Sequence, residues 1–227
     1  FAKSYLSGQT PNPCVQCNDH VKFLPMIERM RALGGERLVT GHYARITGDA
    51  EEGFALQRGI DTEKDQSYFL FGMTQEILSC SLFPIGGLTK AEVRDHARRI
   101  GLSTWDKPDS EDICFVPGGD YKKVVERVLD EAELPASGEI VHEDGEVVGT
   151  HQGIHRYTVG QRKGLGISSA DRLYVLSVRP EDAAVVVGPR ESLFMVGLRA
   201  DKCVWVGGEP PSESFRTRSS SRTDSLA

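Results

Sequence analysis

VKFLPMIERMRALGGERLVTGHYARI, residues 21–46, is the stretch that decides the fold. Apolar residues recur at helical spacing through its first half, and two glycines at 34–35 end that pattern. A short apolar strand at 38–39 follows and runs directly into Gly41 and His42. A helix, a strand and a glycine at the strand's carboxyl end predict an α/β sheet with a ligand site at that end.

The rest of the chain divides into an α/β segment and a smaller, mainly β segment. In the first segment we expect a strand at 54–58 and helices at 75–80 and 90–100, the last between Thr89 and Gly101. The pattern changes at Pro-Gly-Gly, 117–119. Beyond it we expect a helix at 122–132, a hairpin at 139–151 with its turn at Asp-Gly, and a second pair of strands within 172–189.

Composition is that of an ordinary globular protein, with 39% hydrophobic and 26% charged residues. No stretch approaches the about 18 to 20 apolar residues of a membrane helix, and no signal-peptide pattern is visible, so we expect a cytoplasmic protein without membrane contact. A net charge of −6 indicates that any nucleic-acid contact is local. Five cysteines, an odd number, predict reduced thiols rather than a disulfide framework.

Two of these thiols, Cys14 and Cys17, lie in TPNPCVQCN, behind a loop stiffened by prolines. A C-x-x-C pair is half a zinc site, a redox pair, or two independent thiols of which one is reactive. No second pair follows at zinc-knuckle spacing. Cys17 is expected just ahead of a helix, where the helix dipole stabilises a thiolate. Thiol chemistry, zinc or iron–sulfur binding, and an inert pair remain open.

Cys114 lies in DSEDICFVPGGDY, residues 109–121. Its apolar neighbours Ile113 and Phe115 favour a buried strand cysteine, whereas the acidic run before it and the glycines after it favour a mobile loop with a second reactive thiol. Cys80 and Cys203 are interpreted as packing residues.

Three polar stretches are candidates for ligand contacts. Gly41 allows a ligand to approach the backbone while His42 makes a polar contact, the alternative being a turn with a surface histidine. Lys64, at the start of KDQSYFLF, suits a phosphate or ribose, the alternative being a solvated helix start. HRYTVGQRKGLGI, residues 155–167, suits RNA backbone and base stacking, the alternative being a solvated turn; its candidates are His155, Arg156, Tyr157, Arg162 and Lys163.

Together these blocks resemble the tRNA-specific 2-thiouridylases, the MnmA family. The resemblance rests on TPNPCVQCN, GHYAR, KDQSYFL, FPIGGLTKAEVR, SEDICFVPGGDY and GTHQGIHRYTVGQRKGLGI, in this order. It implies a sulfurtransferase that uses ATP to adenylate the base oxygen and a cysteine persulfide to deliver sulfur to C2 of the wobble uridine (U34). The expected partners are tRNAs of the Lys, Glu and Gln types and a sulfur-carrier protein, and the expected cofactor is ATP with Mg²⁺.

The resemblance also assigns residues. Cys17 matches the nucleophile, and Cys114 matches the cysteine that receives the persulfide; Cys17 would then resolve that persulfide, with release of hydrosulfide or with a disulfide between the two. Gly41 matches an ATP-contacting glycine. The implied tRNA contacts are Asn12, Pro13, Cys14, His42, Lys64, Asp65 and Gln66.

Cys14 departs from the family pattern, because many members carry Asp there. With Cys17 and Cys114 it gives a three-cysteine set that could hold a [4Fe-4S] cluster with one open iron. The alternatives to the persulfide enzyme are therefore a [4Fe-4S]-dependent tRNA thiolase and an RNA-binding module that holds a cluster.

The implied fold is α/β. Residues 1–117 correspond to the later part of an adenine-nucleotide-binding domain of the PP-loop ATPase, HUP-like type, 118–187 to a small central α+β domain, and 188–227 to the start of a β-barrel with a disordered tail. The family's Ser-Gly-Gly-x-Asp-Ser pyrophosphate loop is not found in this sequence, and we expect a fragment that does not complete the reaction alone.

Overall fold

The computed structural model describes residues 1–109, 113–130, 133–201, 203–210 and 214–217, with only the backbone of Pro117. Packing divides the chain into two compact units. The first unit consists of Pro13–Glu111 and Ala200–Arg216, and the second is built around Phe1–Asn12 and Asp112–Arg199.

The helices, in chain order, are α1 (Ala2–Leu6), α2 (Pro13–Cys17), α3 (Leu24–Ala32), α4 (Gln75–Ser79), α5 (Lys90–Arg99) and α6 (Tyr121–Val128). A π-helical segment, Asn18–Phe23, joins α2 to α3. The strands are β1 (Leu38–Val39), β2 (Ala44–Asp49), β3 (Gly53–Arg58), β4 (Ser81–Leu82), β5 (Gly138–His142), β6 (Val147–His151), β7 (Tyr174–Arg179) and β8 (Ala184–Gly188). Short 3-10 turns lie at Ser67–Leu70, Pro117–Gly119, Ile154–Arg156 and Arg190–Leu193.

The predicted strands and the two later helices of the first unit are confirmed. Thr89 caps α5 through a capping box with Glu92, in which each residue's side chain bonds the other's backbone N–H. Gly101, at φ +76°, ends this helix as expected. The helix expected at 122–132 is shorter, because Leu129 already has an extended conformation.

A buried core organises the first unit around a parallel pair of strands. Leu38 pairs with Ser81 and Val39 with Leu82, so β1 and β4 run in the same direction. The antiparallel hairpin of β2 and β3 packs beside them. The core residues include Phe23, Ile27, Leu38, Leu70, Leu78 and Phe83. Gly41 and His42 therefore follow the carboxyl end of β1, where the sequence predicted a ligand site.

The second unit contains a four-stranded sheet in the order β6-β5-β8-β7. The predicted hairpins β5–β6 and β7–β8 are antiparallel, and β5 joins them by pairing with β8 in parallel. Valines of β7 and β8 and Ile140 of β5 are fully buried on one face. The sheet thus has the hydrophobic face that a small domain needs to be stable.

The two units differ from the predicted domains at both ends. Residues 1–12 were expected in the α/β domain but pack in the second unit, where the Tyr5 ring stacks on Tyr121 at 4.6 Å and lies in one core cluster with Val125. Residues 200–216 return to the first unit, where Val206 packs against its core. Both placements depend on packing between segments distant in sequence, Tyr5 on Tyr121 in one and Val206 against the core in the other, and local sequence patterns do not encode such packing.

The described residues of 188–227 do not show the start of a β-barrel that was expected there. After β8, the described residues contain one regular element, the 3-10 turn Arg190–Leu193. Phe194, Met195 and Val196 are exposed in the part of this region that is described. A strand requires a partner to pair with, and the described residues offer none here. Separately, none of the described helices is long and apolar enough to cross a membrane.

The neighbouring glycines Gly86 and Gly87 provide a test of this packing. A Cβ on Gly86 would lie 1.7 Å from the carbonyl oxygen of Ala44, whereas one on Gly87 would meet nothing within 4 Å. We expect Gly86→Ala to lower the free energy of unfolding by about 2 kcal/mol or more, because the backbone of β2 must move. Gly87→Ala should change it by less than about 0.5 kcal/mol. Urea titrations of both variants measure the difference. Equal free energies of unfolding would contradict the close packing of Gly86 against the backbone of Ala44.

Candidate functional site

The helix that carries Cys14 and Cys17 begins earlier than predicted. Its first residue is Pro13, whose fixed φ suits the start of a helix, and it continues without a break through the π-helical segment into α3. Cys14 is exposed on its first turn. Cys17 is half-buried at the end of α2, with helical φ and ψ of −66° and −42°. The prediction that Cys17 lies ahead of the helix is therefore wrong.

Asn18 fixes this helix to the segment that follows Gln66. Its side chain is buried, and Nδ2 donates to the carbonyl oxygen of Phe69 at 2.9 Å. Its Oδ1 is also buried and has no hydrogen-bond partner among the described residues. Single π-helical turns within helices are frequent at functional sites. Sequence analysis missed Asn18, although its position directly after Cys17 was the available signal.

His42 is buried rather than on the surface of a turn. It is 8% exposed, and its ring lies between Phe23, at 5.7 Å, and Phe83, at 5.6 Å. Its Nδ1 is 2.8 Å from Oγ1 of Thr40. Burial, with a smaller effect from the charge of Lys22, lowers the pKa of His42 from 6.5 to about 4, so the ring is neutral near pH 7. The alternative of a surface histidine is thus wrong, and the tRNA contact stays a prediction.

Gly41 lies beside this histidine and is open to solvent. A Cβ on Gly41 would meet only Cδ1 of Ile85, at 3.8 Å. The backbone is therefore accessible to a ligand of any class, and the predicted ATP contact remains a prediction.

The segment Lys64, Asp65 and Gln66 is held by its own side chains. Asp65 accepts hydrogen bonds from the backbone N–H groups of Gly59, at 2.9 Å, and Ser67, at 3.2 Å. Gln66 accepts from the backbone N–H of Tyr43 at 3.0 Å. These bonds fix the conformation of the segment and leave the predicted tRNA contacts untested. The other predicted contacts, Asn12 and Pro13, directly precede and begin α2.

Cys114 is exposed in a turn, so the buried strand alternative is wrong. The backbone N–H of Val116 donates to the carbonyl oxygen of Ile113 at 2.8 Å and closes this turn. The two residues that follow Cys114 anchor this turn. The ring of Phe115 meets that of Phe1 edge to face at 5.1 Å, and the side chain of Val116 is buried. Residues 110–112 of the preceding acidic run lie outside the described residues.

The three cysteines named as alternative cluster ligands come from both units. Cys14 and Cys17 belong to the first unit and Cys114 to the second. No group of three His, Cys, Asp or Glu residues in the described ranges could hold a metal ion. Of the two remaining cysteines, Cys80 is buried as predicted, but Cys203 is exposed and the packing interpretation of it is wrong.

Two of the five candidates in the predicted RNA-binding cluster at 155–167 make contacts within their own unit. His155 is 2% exposed, with Nε2 3.3 Å from Oε1 of Glu126. Arg156 donates to the same oxygen at 2.6 Å. With 2% of its surface exposed, against 8% for His42, the His155 ring leaves almost no area for an RNA contact, which counts against that prediction for His155. Arg162 and Lys163 are exposed, so an RNA contact by these two side chains stays a prediction.

Burial of His42 predicts how stability depends on pH. Because its pKa in the folded state is about 4, against an ordinary 6.5, the unfolded state binds a proton more readily over that interval. The free energy of unfolding is therefore unaffected by this histidine above pH 6.5. It falls by up to about 3 kcal/mol as the pH is lowered from 6.5 to 4. Urea unfolding at several pH values measures the slope of the free energy of unfolding against pH. His42→Gln should reduce this slope between pH 4 and 6.5 by an amount that corresponds to about one proton. An unchanged slope in this variant would contradict the burial of a neutral ring.

Comparisons with known proteins cover both units. A family model described as the tRNA methyl transferase HUP domain matches residues 1–118, and one described as the tRNA methyl transferase PRC-barrel domain matches residues 122–189. This order confirms the expected HUP-like domain followed by a small central domain. The PRC-barrel model matches the central segment, residues 122–189, whereas the sequence analysis expected a barrel to begin at residue 188.

Several relatives carry the name tRNA-specific 2-thiouridylase MnmA. The protein of Koribacter versatilis is 47% identical over 226 residues, which is 98% of this chain and 61% of that protein. The protein of Rhodospirillum centenum is 51% identical over 217 residues, which is 92% of this chain and 54% of that protein. That of Geotalea uraniireducens is 48% identical over 92% of this chain and 56% of its own length. The chain thus spans little more than half the length of these relatives.

Proposed function

The chain belongs to the tRNA methyl transferase HUP-domain family, and from that membership we propose that it acts in the ATP-dependent thiolation of tRNA. The reaction is transfer of a persulfide sulfur to C2 of the wobble uridine, U34, giving 2-thiouridine. The observation that carries the proposal is the 47–51% identity, over at least 92% of this chain, to proteins named tRNA-specific 2-thiouridylase.

The first step activates the base. The O2 atom of uridine is a poor leaving group, so ATP must first convert it into an adenylate with release of pyrophosphate. Gly41 is the residue to which we assign nucleotide contact, and its open backbone beside the end of β1 supports this. Mg²⁺ would be carried by the phosphates of the nucleotide, as is usual for nucleotide-dependent enzymes.

The second step delivers sulfur through two thiols. A sulfur-carrier protein transfers its terminal sulfur to the thiolate of Cys114, which becomes a persulfide while the carrier keeps a thiol. The terminal sulfur then forms a bond to C2, the thiolate of Cys17 attacks Sγ of Cys114, and AMP leaves with O2. The products are 2-thiouridine, AMP and a Cys17–Cys114 disulfide, which a thiol reductant returns to two thiols.

The placement of the two thiols supports these roles. Cys114 is exposed in a turn, where a carrier protein has access to it. Cys17 is half-buried in a helix that the Asn18 side chain fixes in place. An accessible acceptor and a positioned nucleophile are what a persulfide relay requires. The chemistry further requires that both thiols reach the same base.

The proposed substrate is tRNA of the Lys, Glu and Gln types, and the proposed setting is the cytoplasm. Asn12, Pro13 and Cys14 would contact the target base, while His42, Lys64, Asp65 and Gln66 would contact the tRNA. The neutral ring of His42 suits a hydrogen bond to a base or ribose better than an ion pair with phosphate. No observation favours the [4Fe-4S] alternatives, and iron and sulfide analysis of the anaerobically purified protein tests them directly.

Substitution of either thiol tests the proposal. In the full-length protein with tRNA, ATP, Mg²⁺ and a persulfide donor, Cys17→Ser and Cys114→Ser should each reduce thiolation to background, because serine forms no persulfide and does not reduce one. Affinity for tRNA should stay within about twofold of the unsubstituted protein.

Cys203→Ser is the matched control, since Cys203 is also exposed but has no assigned role. It should thiolate tRNA at the normal rate. Normal thiolation by either the Cys17 or the Cys114 variant would overturn the proposed relay.

A further inference from the structure

One loop of the second unit carries a surplus of positive charge. It spans residues 161–173 and contains Arg162, Lys163 and Arg172, whose side chains are all exposed. None of these three side chains forms an ion pair or a hydrogen bond with a residue that the structure describes. Asp171 is the one acidic residue in the loop sequence, so three positive charges and one negative charge leave two positive charges, in a chain whose net charge is −6.

This loop is fixed by hydrogen bonds at its ends and by two buried side chains. The backbone N–H of Gly160 donates to the carbonyl oxygen of Val175 at 2.8 Å, and the N–H of Val175 donates to that of Gln161 at 2.9 Å. Between these bonds, Leu165 and Leu173 are buried in the core of the four-stranded sheet. The exposed charges therefore lie on a backbone that is already fixed, so a ligand that binds them pays little for ordering the loop.

The backbone of the loop offers hydrogen-bond donors beside these charges. The φ angles of Gly164 and Gly166 are +71° and +75°, whereas φ is negative at Leu165 between them. Such alternation is the pattern of the concave nests in which successive N–H groups bind an anion. No backbone N–H of residues 162–167 donates to an acceptor among the described residues. A Cβ on either glycine would meet nothing within 4 Å, so the space next to these N–H groups is open to a ligand.

Arg162 and Arg172 line one cavity of about 400 Å³, together with Gly164 and Gly166. Asp171 is the one carboxylate among the described lining residues, so two guanidinium groups leave one positive charge in the cavity. Guanidinium groups bind the oxygens of a phosphate through paired hydrogen bonds, and backbone N–H groups donate to the same kind of oxygen. The cavity therefore has the charge and the donors that suit a phosphate group.

We propose that Arg162 and Arg172 bind a phosphate group of the tRNA backbone in this cavity, with the N–H groups around Gly164 and Gly166 as further donors. The inference rests on the proposed function, which makes tRNA the substrate. It adds Arg172 and the backbone N–H groups to the candidates recognised in the sequence, and it assigns the loop to phosphate binding rather than to base stacking. A phosphate of ATP has the same chemistry and is the other source.

Loss of both guanidinium groups tests the site. In the full-length protein, Arg162→Gln combined with Arg172→Gln should weaken tRNA binding about tenfold at moderate salt, and each substitution alone should weaken it about threefold. The slope of log K against log salt should become shallower by about one in the double variant, because one phosphate contact is lost. Fluorescence anisotropy with labelled tRNA over a range of salt concentrations measures both quantities, and a parallel titration with ATP identifies the source of the phosphate.

Arg127→Gln is the matched control. Arg127 is exposed in the last turn of α6, within the same unit, and its substitution makes the same change in net charge as either single variant. Val125 of α6 and Leu165 of the loop belong to different core clusters. The control should therefore leave the affinity for tRNA and the salt slope nearly unchanged.

Asp171→Asn changes the charge of the cavity in the opposite direction and covers the case in which the double variant fails to fold. Removal of the carboxylate leaves both guanidinium groups without a negative neighbour in the lining, so the variant should bind tRNA about twofold more tightly. Glu181→Gln makes the same change in net charge at the turn between β7 and β8 and should leave the affinity nearly unchanged.

The inference is overturned if the double variant binds tRNA and ATP as tightly as Arg127→Gln does, or if Asp171→Asn gains no more affinity than Glu181→Gln. A loss of affinity confined to ATP would overturn the assignment to tRNA and make a nucleotide phosphate the ligand. Unsubstituted protein that does not bind tRNA would instead overturn the proposed function, whereas a failure confined to these variants would leave that function standing.

Discussion

The hydrogen bond from Asn18 to the carbonyl oxygen of Phe69, at 2.9 Å, joins the cysteine helix to the 3-10 turn Ser67–Leu70, which directly follows the segment proposed to contact tRNA. Asn18 is 2% exposed, so an unpaired amide there would cost about 1–3 kcal/mol. Pro13 is the first residue of the helix, and Phe23, the last residue of the π-helical segment, anchors it in the core. The position of Cys17 therefore depends on a buried polar contact between segments 51 residues apart in sequence.

The two proposed thiols have opposite physical requirements. A persulfide acceptor must be accessible to another protein, and Cys114 meets this requirement as an exposed residue of a turn. A resolving nucleophile must be held in one position, and Cys17 lies in a helix with fixed ends. In the unit that holds Cys17, the neutral ring of His42 is a polar group that we propose contacts the RNA substrate.

Local patterns predicted the elements of the fold well and their packing poorly. Local patterns gave the Thr89 cap of α5, the turn of the β5–β6 hairpin and the strand before Gly41, and all three are confirmed. The stacking of Tyr5 on Tyr121 and the burial of His42 depend on residues far away in sequence, so no local pattern reveals them. The early start of the cysteine helix was missed because Pro13 was read as part of a stiff loop, although proline also favours the first turn of a helix.

The most direct test of the central claim is to locate the transferred sulfur within the full-length protein. After exposure to a persulfide donor, and before tRNA is added, peptide mass spectrometry should find one extra sulfur on Cys114 and none on Cys17. After a single turnover with tRNA and ATP, the extra sulfur should be gone and a Cys17–Cys114 disulfide should be present. Sulfur carried on Cys17, or turnover with both thiols left free and unmodified, would contradict the proposed relay.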